Sequence, residues 1–149
     1  MATQVSRIAL KTEEIVGINA PREHQRCIRN LVYNLTNHLL HLPYDVLPES
    51  SLDADDRLSK CPDVLVENSG DGSIPLLIEV TGKGGVKRDK KKIAEIFLEN
   101  QEQLYGLQEG FVYDYDSDKW YRITADADEE SSYSHSLRLD LKSFIALER

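Results

Sequence analysis

The chain has 149 residues, 40% of them hydrophobic and 30% charged, which suffices for one globular domain with its own core, so residues 1–149 read as a single unit. Its 18 Lys and Arg against 26 Asp and Glu leave a net charge of −8 at pH 7, and this excludes a general nucleic-acid coat protein, whose affinity comes from neutralising phosphates. No run approaches the roughly 20 apolar residues of a membrane span, and MATQVSRIALKTEE holds no apolar core of signal length, so a cytoplasmic protein without membrane contact is expected.

Ahead of Ala20, Ile15, Val16 and Ile18 suggest a short strand or a docked arm. A helix is expected from Pro21, with Asn19 or Ala20 near its cap and Ile28, Leu31, Val32, Leu35 and Leu39 at helical spacing. Glu23 and His24 fall in its first turn, where an acidic residue is favoured by the helix dipole alone. Cys27 and Cys61 have no CxxC spacing and read as two free thiols. Asn34-Leu35-Thr36 matches a glycosylation sequon by chance inside the helical pattern, and His38 and His41 belong to a solvated helix end. Leu42-Pro43 stops the helix, Tyr44 to Leu47 reads as a first strand, and Leu52 to Lys60 as a polar, acidic connection.

The most informative stretch runs from Pro62 to Phe97. Val64, Leu65 and Val66 precede the turn signal Ser69-Gly70-Asp71-Gly72, and Leu76, Leu77 and Ile78 follow it, the composition of an antiparallel hairpin. With the turn centred near Asp71, Leu65 faces Leu77 and Asp63 faces Glu79 on one side of the sheet. Two carboxylates beside two leucines repel each other and are costly to desolvate, so a positive partner belongs between them. A divalent cation with hard oxygen ligands, Mg or Mn, meets that need. The plainer alternative has Asp63 capping the strand and Glu79 pointing to solvent.

Thr81-Gly82-Lys83-Gly84-Gly85 then leads into Lys87, Arg88, Lys90, Lys91 and Lys92, just before the helical pattern Ile93, Ile96, Phe97, Asn100 and Leu104. Basic residues at a helix start oppose the macrodipole, so the cluster reads as an anion-attracting rim. Lys83, Lys87, Arg88 and Lys91 are the candidates for phosphate contact. Gly106 and Gly110 punctuate a turn into Phe111–Tyr115, and Asp116-Ser117-Asp118 turns into Lys119–Ile123, a second hairpin whose aromatics read as sheet packing ahead of base stacking. Residues 125–136 are acidic and serine-rich and read as a mobile loop. Leu137-Arg138-Leu139 makes a short strand, and Leu141, Phe144 and Ile145 a closing helix. Neither a phosphate-binding GxxxxGK followed by Ser or Thr nor a GxSxG elbow occurs.

This order of elements gives an α/β chain of the mixed α+β kind. Pro62-Asp63 followed a strand later by Glu79 resembles the PD-(D/E)XK nuclease superfamily, and the longer pattern resembles its Uma-two branch of restriction-endonuclease-like proteins. The similarity spans most of the chain, from Pro21–His24 through Pro62-Asp63, Ile78-Glu79-Val80, Asp89 with its lysines and Glu109–Asp114 to Leu137–Leu141. It implies a restriction-endonuclease-like core, a central mixed sheet flanked by helices, and Mg-dependent or Mn-dependent endonuclease action on DNA with Asp63 and Glu79 as metal ligands. It also implies Glu23 or His24 as accessory residues, and a homodimer, for which exposed apolar surface on the second hairpin would supply an interface. The chain departs from the pattern at the lysine. Thr81 stands two residues after Glu79 where the superfamily has Lys, and Ile93 stands four after Asp89 where the Uma-two branch has it, which leaves Lys90 and Lys92 as the candidate catalytic cations. The other reading is a degenerate nuclease-like module that binds nucleic acid or a protein partner without cutting.

Overall fold

A computed structural model describes residues 21–52, 60–103 and 105–146. The expected arm at Ile15–Ile18, the caps at Asn19 and Ala20, and most of the connection between Leu52 and Lys60 lie outside the described residues. Helix α1 spans Arg22–His38, with Pro21 as its N-cap residue and Glu23 in its first turn. Its buried stripe is Cys27, Ile28, Leu31 and Leu35, one face at helical spacing. The chain then turns into β1 (Tyr44–Pro48), and β2 (Val64–Asn68) and β3 (Leu76–Thr81) form the first hairpin. Its register is Val64 opposite Ile78, Leu65 opposite Leu77 and Val66 opposite Leu76, as the turn chemistry predicts.

Helix α2 (Val86–Gln103) carries the chain from β3 across to β4 (Glu109–Asp114), which pairs parallel to β3; β5 (Lys119–Ile123) returns antiparallel and β6 (Asp128–Glu130) adds an edge. The result is a mixed six-stranded sheet in the order β1-β2-β3-β4-β5-β6, with β7 (Tyr133–Ser134) and β8 (Leu139–Asp140) paired apart from it. Two-residue alternation sorts the core. Val64, Val66, Leu76, Ile78, Val80, Phe111, Tyr113 and Trp120 pack toward α1, whereas Leu65, Leu77, Val112 and Ile123 pack toward Ile93, Ile96 and Phe97 of α2. The mixed α+β architecture is therefore the expected one.

Several local expectations change. The apolar pattern starts at Ile93 but α2 begins seven residues earlier, so Lys90, Lys91 and Lys92 sit beyond its first turn and the dipole argument applies to Lys87 and Arg88 alone. Gly110 is inside β4, not in a turn; a Cβ there would lie 2.6 Å from Ile93 Cγ2, so the glycine lets α2 pack directly on the sheet. The stretch 125–136 is no loop. Two of its acidic side chains are paired, Asp128 Oδ1 with Lys90 Nζ at 3.0 Å and Glu129 Oε2 with Arg122 Nη1 at 3.2 Å, which adds to the backbone pairing of β6 with β5 at the sheet edge. Arg138 takes φ 57°, so the short strand starts at Leu139, and the closing helix is a single 3-10 turn, Leu141–Phe144. Asn34 Nδ2 donates to the Phe144 and Ala146 carbonyls, binding that turn to α1.

Phe111, Tyr113 and Trp120 are buried against one another, in line with packing rather than stacking on bases. Among the described residues the large exposed apolar side chains are Tyr33, Leu40, Leu42, Leu98 and Tyr133, none on the second hairpin, so the apolar surface expected there for a dimer is absent because those aromatics face inward. Cys27 is buried and Cys61 exposed, both free; burial pushes the Cys27 thiol up to about 12 and makes it inert. No helix among the described residues is long and apolar enough to cross a membrane.

Candidate active site

The start of β2 and the C-terminal end of β3 meet between the first turn of α1 and the second turn of α2. Alternation along the hairpin puts Asp63 and Glu79 on the α2 side with Leu65 and Leu77. Asp63 Oδ2 accepts the Val80 backbone N–H at 2.7 Å, and His24 Nε2 stands 3.4 Å from the same oxygen. Burial alone would raise the Asp63 carboxyl; the His24 contact and the Val80 amide outweigh it and hold Asp63 below its ordinary range. The Asp63 contact in turn raises His24 above the usual imidazole value, against the opposing effect of burial.

Glu79 is 2% exposed. Burial pushes its carboxyl up to about 8 and the nearby Asp63 charge adds to the rise, while Lys92 opposes it. Lys92 Nζ lies 2.9 Å from Glu79 Oε2 and also donates to the Cys61 carbonyl at 3.2 Å. The ion pair is close, yet it is not aligned as a hydrogen bond, and Glu79 Oε2 is a buried carboxylate oxygen without an aligned donor. A second buried carboxylate on the α2 side, Asp89, is 6% exposed; burial raises it, and the charges of Asp63 and Lys92 reach it. Arg88 Nε touches Asp89 Oδ1 at 3.3 Å and Arg88 Nη2 touches Thr81 Oγ1 at 3.5 Å.

Of the residues singled out in the sequence, Asp63, Glu79, Lys92 and His24 come together. Lys90 does not. It pairs with Asp128 and lies 4.3 Å from the Tyr121 ring centroid, held toward β5 and β6. Glu23 accepts from the Cys27 thiol at 3.7 Å and pairs with Arg26 at 3.6 Å, apart from Asp63. The β3 strand ends at Thr81, so Lys83 is not on the strand face of Glu79; it is exposed on the following turn, whose Lys83 N–H donates to Asp116 Oδ2 at 2.5 Å. Lys87 and Lys91 project into solvent. Asp89 escaped selection, although a lone acid amid five basic residues was its signal.

Beside His24 opens a cleft of about 490 Å³ that is lined by His24, Glu49, Thr81, Lys83, Arg88 and Tyr115. A larger groove of about 660 Å³ runs along α1 past Ile28, Val32 and Pro48; neither Asp63 nor Glu79 lines either opening, and the smaller one is the nearer to the chemistry because His24 on its wall stands 3.4 Å from Asp63. Among the described residues no three His, Cys, Asp or Glu side chains converge as a ligand set.

No family model matches the chain, and no curated protein does. Among solved structures it is similar to a protein of Anabaena variabilis, described as a candidate nuclease of the DUF820 family, with TM-score 0.56 and 15% identity over 83% of this chain and 82% of that one. The two share a fold. A protein of unknown function from Silicibacter pomeroyi is 16% identical over 85% of each chain with TM-score 0.39. The first likeness speaks for the mixed α+β fold of a candidate nuclease and for that alone.

Proposed function

We propose that the chain is a metal-dependent phosphodiesterase acting on DNA, with Asp63 and Glu79 as its metal ligands, Mg or Mn as the cation, and Lys92 as the charged group beside them. The observation that carries this reading is the buried Glu79 near Asp63, two acids whose mutual repulsion and burial raise the Glu79 carboxyl and which Lys92 offsets only in part, a cost that a divalent cation would relieve. The donor set fits the ion: two carboxylates are hard oxygen ligands, and Glu79 Oε2 lacks an aligned donor. The description of the Anabaena variabilis protein as a candidate nuclease agrees with it.

A bound Mg or Mn would supply an acidified water and charge neutralisation at phosphorus. The protein's own groups do the rest. The Val80 amide and His24 fix the Asp63 carboxylate in one orientation and keep it ionised. Lys92 reaches from α2 to Glu79, close enough to stabilise charge developing on a phosphate held by the pair. Arg88 and Lys83 line the cleft, Lys87 and Lys91 are exposed on α2, and together they would attract the polyanion while the acidic body favours release. Incubation of the purified protein with plasmid and Mg or Mn tests the reading: the parent nicks or linearises DNA, Asp63→Ala does not, and calorimetric Mn titration shows a site that Glu79→Ala removes.

One observation favours a second reading. Lys92 already pairs with Glu79, and no third metal-ligating side chain joins the pair among the described residues, so the chain would also serve as a module that holds nucleic acid or a protein partner without cutting. A parent that binds DNA and never cuts it with either metal would decide for this second reading.

A further inference from the structure

We infer that the cleft walled by His24, Thr81 and Tyr115 is a pocket for one unpaired nucleotide, with Tyr115 as the platform for its base and Arg88 and Lys83 as the anchors of its phosphate. The inference rests on the proposed action at phosphodiesters and narrows its substrate to a preference: single-stranded DNA and frayed ends are taken faster than intact duplex.

Tyr115 follows β4, and its backbone N–H donates to the Thr81 carbonyl at 3.0 Å, carrying the parallel pairing of β3 and β4 one step further. The ring then lies over Gly82, where any Cβ would come within 2.6 Å of the ring Cζ and 2.7 Å of Cε1. A bare backbone at this one position is thus what seats the ring, and a seated ring is a low-entropy stacking surface. Tyr115 is half-buried and lines the cleft, unlike Tyr113 and Trp120, which are sealed in the core. Stacking is indifferent to base identity, because every base has a π face.

The cations are held as well as exposed. Arg88 is braced between Thr81 Oγ1 and Asp89 Oδ1, which turns its guanidinium toward the cleft wall, and the turn bearing Lys83 is pinned by Asp116. Gln25 and Glu49 supply polar edges on the opposite wall. At about 490 Å³ the cleft falls within the range of small-ligand pockets, roughly 300–1,000 Å³. A base inside a duplex keeps its faces stacked on its neighbours, so the ring is reached only by a nucleotide that has left the stack. His24 lines the same cleft and stands 3.4 Å from Asp63, so a nucleotide bound there lies against the residue that contacts the Asp63 carboxylate.

The test is fluorescence anisotropy of the full chain without divalent metal at low salt, comparing a labelled single-stranded oligonucleotide with its blunt duplex. The single strand should bind about tenfold tighter or better, Tyr115→Leu should remove that preference, and Tyr115→Phe should keep it. Equal affinity for the two forms, or a preference that survives Tyr115→Leu in a protein with unchanged melting, overturns the inference. If Tyr115→Leu does not fold, the parent decides: dAMP should compete for the site and deoxyribose 5-phosphate should not, whereas equal competition by both would leave the ring without a role. Competition by dAMP with no single-strand preference would mark a site for free nucleotides instead and sink the strand reading. Cleavage is scored separately. A parent that cuts duplex as fast as single strand refutes this inference and leaves the proposed hydrolysis standing, while a parent that cuts nothing refutes the hydrolysis and leaves the binding assay to judge the pocket.

Discussion

Replacing Glu109 by Gln is the perturbation whose outcome the structure specifies most fully. Glu109 is fully buried, and its Oε1 accepts Arg122 Nε at 2.7 Å and the His135 N–H at 3.2 Å. Its Oε2 accepts Ser134 Oγ at 2.6 Å, the Ser136 N–H at 2.9 Å and Ser136 Oγ. Both oxygens therefore face a backbone N–H. A Gln amide has one acceptor and one donor end, so whichever way it turns, an NH₂ meets a backbone N–H and one donor is orphaned, while Arg122 loses its buried counter-charge. An orphaned donor and a broken buried pair together cost about 3–5 kcal/mol, and at roughly 2–4 °C per kcal/mol for a chain of this size the melting temperature should fall by about 10 °C. The pH dependence has a definite sign. Burial raises the Glu109 carboxyl, but its hydrogen bonds with Ser134, Ser136 and Arg122 more than offset this and leave it below the ordinary 4.5. A depressed carboxylate stabilises the fold above its unfolded value and loses that contribution as pH falls through the folded value, so parent and Glu109→Gln should differ fully at neutral pH and converge below about pH 4.5. Paired urea titrations and thermal melts at pH 7 and at acid pH check this. A difference under about 1 kcal/mol at pH 7, or one that persists undiminished in acid, would refute the account of Glu109 as an ionised acceptor of five donors.

If hydrolysis occurs, Lys92→Met should lower its rate by about two to three decades while DNA affinity holds, and Lys90→Met should cut nearly as well as the parent because Lys90 is committed to Asp128 and Tyr121; timed plasmid cleavage by the two variants separates these outcomes. Replacing Lys83, Lys87, Arg88 and Lys91 together by Gln should flatten the salt dependence of DNA binding, and an unchanged slope of log affinity against log salt would remove them from the phosphate rim. Gly110→Ala should destabilise the fold by about 1–3 kcal/mol in a denaturant titration, because the new methyl would press on Ile93 Cγ2 with the sheet behind it.

The same contacts explain which features were legible in the sequence. The first hairpin was readable to the residue pair because its turn chemistry fixes register, and register fixes faces; Asp63 and Glu79 fell on one side for that reason alone. What escaped was whatever depended on partners distant in the chain. Residues 125–136 look like a solvated loop when their acids are taken as unpaired, yet Asp128 and Glu129 meet Lys90 and Arg122, and Ser134 and Ser136 donate to Glu109, so polar composition became a folded edge through pairs that no local pattern encodes. The lysines show the same limit at the site. Lys90 and Lys92 differ by two residues, and which one reaches Glu79 depends on how the buried face Ile93, Ile96 and Phe97 seats α2 on the sheet, a seating that Gly110 allows to be close. Because the helix sits directly on β4 there, Lys92 extends over β3 to the carboxylates and Lys90 is left above β5. A glycine that reads as a turn is thus part of how the helix bearing both lysines comes to lie directly on the sheet.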